Sequence, residues 1–286
     1  MSKVNDLTPI YSLNHLSICI GVPPEIILQI SETAHRLYSP FEVPKDDDSV
    51  RKIDNPKLKL KAVQKRILKN LLEPYDLPKQ IMGGRKGFGV KDYLTLHTNK
   101  PEVVSLDIKS CFPSVSHEQV FKVFREDYGY SKKVASVLTK LTTYRGHLPQ
   151  GAPSSNMLLN IILTPACKEI VQVCDATNCC VSFWVDDITI SGNNPSELIQ
   201  KVIPIIHKYG FAIRSSKTRI MKQSEHQEVL NHTVNKKIAV TKSKYAEYLK
   251  KYFSNIRQDQ VLGILNHLEY INPKQARRLG KILILK

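Results

Sequence analysis

The spacing of apolar positions changes several times along the chain, and each change predicts an element. Up to about residue 40, Ile18, Ile20, Ile26, Ile27, Leu28 and Ile30 recur at helical spacing around Pro23-Pro24, and Pro-Pro-Glu suits a helix start. A break is expected over residues 41–49, which hold Pro44 and the run Asp46-Asp47-Asp48. Three acids in a row read as a solvated loop before they read as a cation site. From Val50 the pattern alternates as in a strand, and from Leu60 it turns helical through Val63, Ile67, Leu68, Leu71 and Leu72. An apolar strand runs into Asp107, then a Phe-Pro turn and a helix over residues 118–128. A loop rich in Pro, Gly and Ser at residues 146–155 precedes an apolar helix over 157–170, and another helix is expected over 195–209. Between those helices, Phe183-Trp184-Val185-Asp186-Asp187-Ile188-Thr189-Ile190 is apolar and β-branched on both sides of two adjacent acids. That is hairpin composition, with Asp186-Asp187 at an exposed tip. Asp is common in turns, but tight hairpins favour Asn-Gly or Asp-Gly, whereas here Ile follows. Two adjacent carboxylates are also stable where a divalent metal lies between them. The pattern alone leaves turn and metal site both open.

Composition narrows the class of partner. The 286 residues suffice for a substantial core and two or three subdomains. Lys and Arg number 42 against 26 Asp and Glu, a net charge of +16. Such an excess implies a polyanion, with nucleic acid first. A membrane is the rival, but no run of 18 apolar residues and no signal-peptide pattern is present, so a cytoplasmic protein without a membrane partner is expected. Cys19, Cys111, Cys167, Cys174, Cys179 and Cys180 include no Cys-x-x-Cys pair; they read as small buried hydrophobes in a reducing compartment, not as a zinc site. Lys57, Lys59, Lys61, Lys65, Arg66 and Lys69, with Arg51-Lys52 upstream, form either a solvated helix face or a phosphate-contacting one. Residues 82–90 make a glycine-rich loop carrying Arg85 and Lys86, where backbone can approach phosphates, though it lacks the Gly-Lys-Ser/Thr of a Walker A loop. Asp107, at the end of a core strand, needs hydrogen bonds or a metal.

Four of these pieces stand in one order, and together they resemble the reverse transcriptase family. Leu106-Asp107-Ile108 with Phe112-Pro113-Ser114-Val115 is similar to that family's first palm motif. Leu148-Pro149-Gln150-Gly151-Ala152-Pro153-Ser154-Ser155 is similar to the second, Trp184-Val185-Asp186-Asp187 to the third, and residues 210–217 to the fourth. Val234-Asn235-Lys236-Lys237 resembles the primer grip, and Arg51-x-Ile53-x-x-Pro56 with Leu60-x-x-x-Gln64 the fingers of bacterial, retron-type enzymes. The resemblance covers about residues 50–286. Departures are Cys111 for a Phe, Trp184 for Tyr or Phe, Asn156 for Pro, Val229-Leu230-Asn231-His232 for a Val-Thr-Gly, and Tyr93-Leu94-Thr95-Leu96-His97 for an Asn-Ala-x-x-His motif. The last two bear on recognition of a cognate RNA.

The resemblance implies an α+β right-hand polymerase: an N-terminal helical extension over residues 1–49, fingers over 50–100, a palm with a small antiparallel sheet over 101–235 and a helical thumb over 236–286. It implies an RNA-directed DNA polymerase that copies a structured noncoding RNA from dNTPs, binds the RNA–DNA hybrid, and acts in antiphage defence with an effector protein. Two Mg²⁺ ions, replaceable by Mn²⁺, would be held by Asp107, Asp186 and Asp187 with the carbonyl of Ile108. Phe112 would exclude a 2′-hydroxyl, its rival reading being a core Phe. Backbone N–H groups of residues 109–112 would meet the triphosphate, with Arg85 and Lys86 at its γ-phosphate. Gln150 and Gly151 would lie against nucleotide and template, and Lys217 would protonate the leaving pyrophosphate unless it is simply a solvated lysine. From Lys217 onward Lys and Arg outnumber Asp and Glu fifteen to five. There Tyr245, Tyr248, Leu249, Tyr252 and Phe253 form a helical stripe opposite Lys244, Lys250 and Lys251, as in a thumb that grips duplex backbone. Two other readings stay open: a protein-primed reverse transcriptase of another bacterial defence branch, and an RNA-binding module that does not polymerise.

Overall fold

A computed structural model describes residues 8–44, 50–253 and 257–284. In chain order the principal elements are α1 (Leu13–Ile20), α2 (Pro24–Thr33), β1 (Tyr38–Pro44), β2 (Val50–Pro56), α3 (Leu58–Ile67), α4 (Val90–Leu96) and β3 (Glu102–Asp107). Then come α5 (Cys111–Ser114), α6 (His117–Lys122), α7 (Lys132–Thr142), α8 (Ser155–Asp175), β4 (Cys180–Trp184), β5 (Asp187–Gly192) and α9 (Ile199–Lys208). The chain closes with β6 (Arg219–Lys222), β7 (Glu228–Val229), β8 (His232–Thr233), β9 (Ala239–Val240), α10 (Lys242–Phe253), α11 (Gln258–Ile271) and α12 (Pro273–Ile284). Contacts divide it into two compact units. One comprises Met1–Arg85, Ile108–Lys168 and Ile205–Ala212; the other comprises Lys86–Asp107, Glu169–Pro204 and Ile213–Lys286.

In the first unit the predicted N-terminal helices form, but the expected break is partly a strand. β1 pairs antiparallel with β2 from Tyr38↔Pro56 to Pro44↔Val50. Pro40 and Pro44 hid it from the pattern, yet a two-stranded ribbon has free edges where a missing N–H costs nothing. The Asp46-Asp47-Asp48 run lies outside the described residues. Buried Gln64 joins β1, α3 and α7: its amide donates to Tyr38 Oη at 2.9 Å and to the Leu141 carbonyl at 2.8 Å. Arg66, read above as one cation of a basic face, caps α1, donating to the carbonyls of Ile20 (3.1 Å) and Gly21 (2.6 Å). Those carbonyls end the helix, where intrahelical donors run out.

The second unit is built on an antiparallel sheet of order β4-β5-β3-β6. The alternation of β4 and β5 gives two faces. Val181, Phe183, Ile188 and Ile190 form an apolar one, all buried. Ser182, Thr189 and Ser191 lie on the other and are buried too, so their hydroxyls need partners. Tyr93 of α4 and His97 just after it supply them, as described below. β7, β8 and β9 make a small second sheet, in which Leu230 and Asn231 turn the chain between β7 and β8 with φ of 49° and 61°. In α10, Lys244 and Lys251 both pair with Glu247, at 2.7 and 2.6 Å, so these two cations of the expected phosphate-facing side are engaged along their own helix. The side chains of Tyr252 and Phe253 lie outside the described residues. Helix α8 is long and apolar enough to cross a bilayer, and α1 and α2, bent by 95°, pass the same test only together; α8 is 61% buried within the protein, as a core helix is.

Candidate active site

Strand register builds the site. Asp107, last in β3, pairs directly with Asp187, first in β5, and Asp187 in turn pairs with Trp184, last in β4. Directly paired residues share a face with Cβ atoms about 5 Å apart, and like charges so placed repel. Val185 and Asp186 make the turn between β4 and β5. Asp187 therefore belongs to a strand and is half-buried, not at an exposed tip as expected. Val185 has φ of 60°, a left-handed conformation unusual for a β-branched residue and of a kind that gathers at functional sites.

The electrostatics follow from this crowding. Burial, then the charges of Asp186 and Asp107, push the Asp187 carboxyl up to about 7, with Lys217 opposing. Two cations face Asp107: Arg214 Nε is 3.3 Å from Oδ1 and Lys217 Nζ is 3.8 Å from Oδ2. The Arg214 approach is not aligned as a hydrogen bond, and Asp107 Oδ1 is buried without a hydrogen-bond partner. The Arg214 N–H also donates to the Asp107 carbonyl at 2.8 Å, which fixes the fourth-motif turn to the end of β3. Nothing in the hydrophobic pattern marked Arg214.

Oxygen-only donors of this kind suit a hard divalent ion such as Mg²⁺. The opposed pair of Asp107 and Asp187, the charge of Asp186 acting on Asp187, and the orphaned Oδ1 fit such an ion. Among the described residues, however, no three His, Cys, Asp or Glu side chains form a group closed enough to hold one as placed.

The second unit thus brings together Asp107, Asp186, Asp187 and Lys217, and also contains exposed Lys86. Ile108, Phe112, Gln150, Gly151 and Arg85 belong to the first. Phe112 is half-buried and Ile108 buried. Of the backbone donors expected for a triphosphate, the Lys109 N–H is already engaged by the Ala212 carbonyl at 2.8 Å, and Ser110 follows with φ of 48°. One amino group of Arg85 donates to the carbonyls of Leu77 and Pro78 at 3.1 and 3.0 Å, a loop-tying role beside the phosphate role expected of it. The second-motif loop is clasped to β2. The Asp54 N–H donates to the Gln150 carbonyl at 2.8 Å, and His147 Nε2 lies 3.5 Å from Asp54 Oδ2.

Sequence reasoning also missed what supports the hairpin. Tyr93 on α4 and His97 just after it are one helical turn apart, so they emerge on one side. Tyr93 Oη lies 2.7 Å from Thr189 Oγ1, and the His97 ring lies 2.7 Å from Ser191 Oγ and 2.6 Å from Ser182 Oγ. The Trp184 ring meets Tyr93 edge-on at 5.5 Å. The i, i+4 spacing of Tyr93 and His97 was the available signal, but not its target.

Comparison with known proteins gives the family and the fold. The family model described as reverse transcriptase (RNA-dependent DNA polymerase) matches residues 43–254. The chain is 30% identical to the retron Se72 reverse transcriptase of Salmonella heidelberg, over 79% of this chain and 62% of that one. It is 27% identical to the retron Ec86 reverse transcriptase of Escherichia coli, over 94% and 87%, and 27% to the retron Mx65 reverse transcriptase of Myxococcus xanthus, over 93% and 69%. It thus spans less than two thirds of the Salmonella relative's length. Among solved structures, telomerase from Candida albicans in complex with a fragment of telomeric RNA aligns with a TM-score of 0.53 at 11% identity, over 76% of this chain and 50% of that one. At that identity the likeness is one of fold, an α+β fold of the right-hand polymerase type.

Proposed function

The chain belongs to the reverse transcriptase family, and from that premise we propose that it is a retron-type RNA-directed DNA polymerase. The observation that carries the reading is the register pairing of Asp107 with Asp187 beside Asp186. Asp186 and Asp107 raise the proton affinity of Asp187, and carboxylates crowded in this way are costly unless their charge has a use. When bound, a pair of Mg²⁺ ions, or Mn²⁺ in their place, supplies activation of the primer 3′-oxygen and neutralises the leaving pyrophosphate. Asp107 and Asp186 with the Ile108 carbonyl would hold them, and Asp187 would support.

The remaining residues bind and orient. Phe112 lies beneath the sugar of the incoming dNTP, Gln150 and Gly151 flank nucleotide and template, and Arg85 and Lys86 meet the γ-phosphate. Lys217, whose ammonium lies 3.8 Å from Asp107 Oδ2, delivers a proton to the pyrophosphate in this reading. In this reading residues 50–100 are fingers, 101–235 palm and 236–286 thumb. The template is a structured noncoding RNA, the product remains an RNA–DNA hybrid, and the protein works in the cytoplasm with an effector in antiphage defence.

Primer extension by the purified protein on an RNA template, with and without a chelator, tests the polymerase. Asp186→Ala and Asp187→Ala should each abolish Mg²⁺-dependent extension while leaving the far-UV circular dichroism unchanged; undiminished synthesis by either variant sinks the assignment. The product distinguishes priming modes. A 2′-linked RNA–DNA molecule supports the retron reading, and DNA joined to a tyrosine or serine of the protein supports a protein-primed enzyme, for which the absent Val-Thr-Gly at residues 229–232 is the motive.

A further inference from the structure

The polar face of the hairpin is covered by two side chains that the chemistry above does not use. His97 and Tyr93 are fully buried. Between them they reach three hydroxyls: Ser182 on β4, and Thr189 and Ser191 on β5, all at 2.6–2.7 Å. A neutral imidazole has one donor and one acceptor nitrogen, and a serine hydroxyl can play either part, so the ring bridges the two strands whichever tautomer it holds. Each strand thereby gains a hydrogen bond to one rigid, planar group. The bridge stands close to the acids. Thr189 is two residues from Asp187 along β5, and Ser182 two from Trp184 along β4, about 7 Å at strand rise. All these residues lie on the sheet face that carries Asp187 and, through the register, Asp107.

A buried, satisfied histidine is commonly nothing but core. Three features argue for more. The ring bridges the two strands that flank the acid-bearing turn instead of capping one of them. The turn itself holds Val185 at a φ of 60°, a conformation that persists only where its surroundings over-determine it. And Tyr93, one turn earlier on the same helix, adds a third bond and an edge contact to Trp184, so the hairpin is fixed at three points down to its last pair before the turn.

We propose that His97, together with Tyr93, is a positioning residue for nucleotide addition: by tying Ser182, Thr189 and Ser191 to one helix, it sets where Asp186 and Asp187 stand. The proposal rests on the polymerase reading for its catalytic consequence, while the structural half does not. Trp184 is the protein's single tryptophan and ends β4 beside the turn, so its fluorescence reports the hairpin directly.

The experiment compares wild type, His97→Ala, Ser182→Ala and Ser191→Ala by acrylamide quenching of Trp184 and by steady-state primer extension with Mg²⁺. In a folded His97→Ala protein, quenching of Trp184 rises. In the same protein kcat falls about ten- to hundredfold, the scale of a misplacement near 1 Å, with the KM values for dNTP and primer–template held within about threefold. The serine variants move both readouts the same way by less, and adding either to His97→Ala changes little further, since the bond is already gone. Unchanged quenching and unchanged kcat in folded His97→Ala overturn the proposal, as does a fall in kcat with no change at Trp184. Should His97→Ala fail to fold, the serine variants decide by the same two criteria. If wild type itself does not extend a primer, the polymerase reading fails, and the Trp184 result alone decides whether His97 holds the hairpin.

Discussion

Gly151 stands where the second-motif loop meets β2, with φ of 114°. A Cβ built there would lie 2.8 Å from Ile53 Cγ2, inside van der Waals contact. The conformation is nearly closed to other residues, and the clash is with a β-branched side chain that has few rotamers to retreat into. Gly151→Ala should therefore cost about 1–3 kcal/mol of stability and displace Ile53. Gly146, five residues earlier, also has a positive φ, of 83°, but a methyl group there would find no atom within 4 Å. Gly146→Ala should show only the smaller conformational cost. Urea denaturation of both variants checks this. Equal losses would mean that contact with Ile53 contributes nothing and that backbone conformation alone matters.

At the scale of elements, α4 and the β4–β5 hairpin depend on each other through a ring that must stay neutral. Burial, and secondarily the charge of Lys100, lower His97 from 6.5 to about 3; Tyr93 is the other titratable group packed on it. Because the folded state resists protonation and the unfolded chain does not, the unfolded state binds the extra proton below pH 6.5. This contribution is thus complete above about pH 6.5 and is lost as pH falls toward 3, by about 1.4 kcal/mol per pH unit. Unfolding free energies at pH 7.5 and 5.0 should differ more for wild type than for folded His97→Gln; equal differences would show that the ring accepts a proton in place. The hairpin was legible beforehand because strand alternation around Asp186-Asp187 is a local signal. The β1 strand was not, because Pro40 and Pro44 look like loop punctuation until a free ribbon edge tolerates them. The bridge was invisible for a different reason: His97 meets Ser182 and Ser191 across 85 and 94 residues of chain, and no periodicity encodes a partner at that distance. Asp107 could be paired with Asp187 in advance only through motif order, since the register that opposes them is a property of the assembled sheet.

For the whole molecule the governing quantity is charge. A net +16 would serve either a nucleic acid or an anionic membrane surface, and the two differ in how salt acts. Not every cation is available to a partner: Arg66 caps a helix, Lys244 and Lys251 share Glu247, and Arg214 and Lys217 face Asp107. Enough remain after Lys217, where basic residues outnumber acids fourteen to five, to neutralise several phosphates of a duplex. Each phosphate neutralised releases condensed counterion, so the logarithm of the binding constant falls linearly with the logarithm of salt, and six contacts predict a loss of about a thousandfold between 50 and 200 mM. Binding of an RNA–DNA hybrid, followed by fluorescence anisotropy across that range with Ca²⁺ in place of Mg²⁺, should show that slope. The same protein should show no comparable affinity for vesicles containing phosphatidylserine at 150 mM salt. A slope shallower than about −2, or tighter binding to vesicles than to hybrid, would mean that the excess charge serves something other than the duplex.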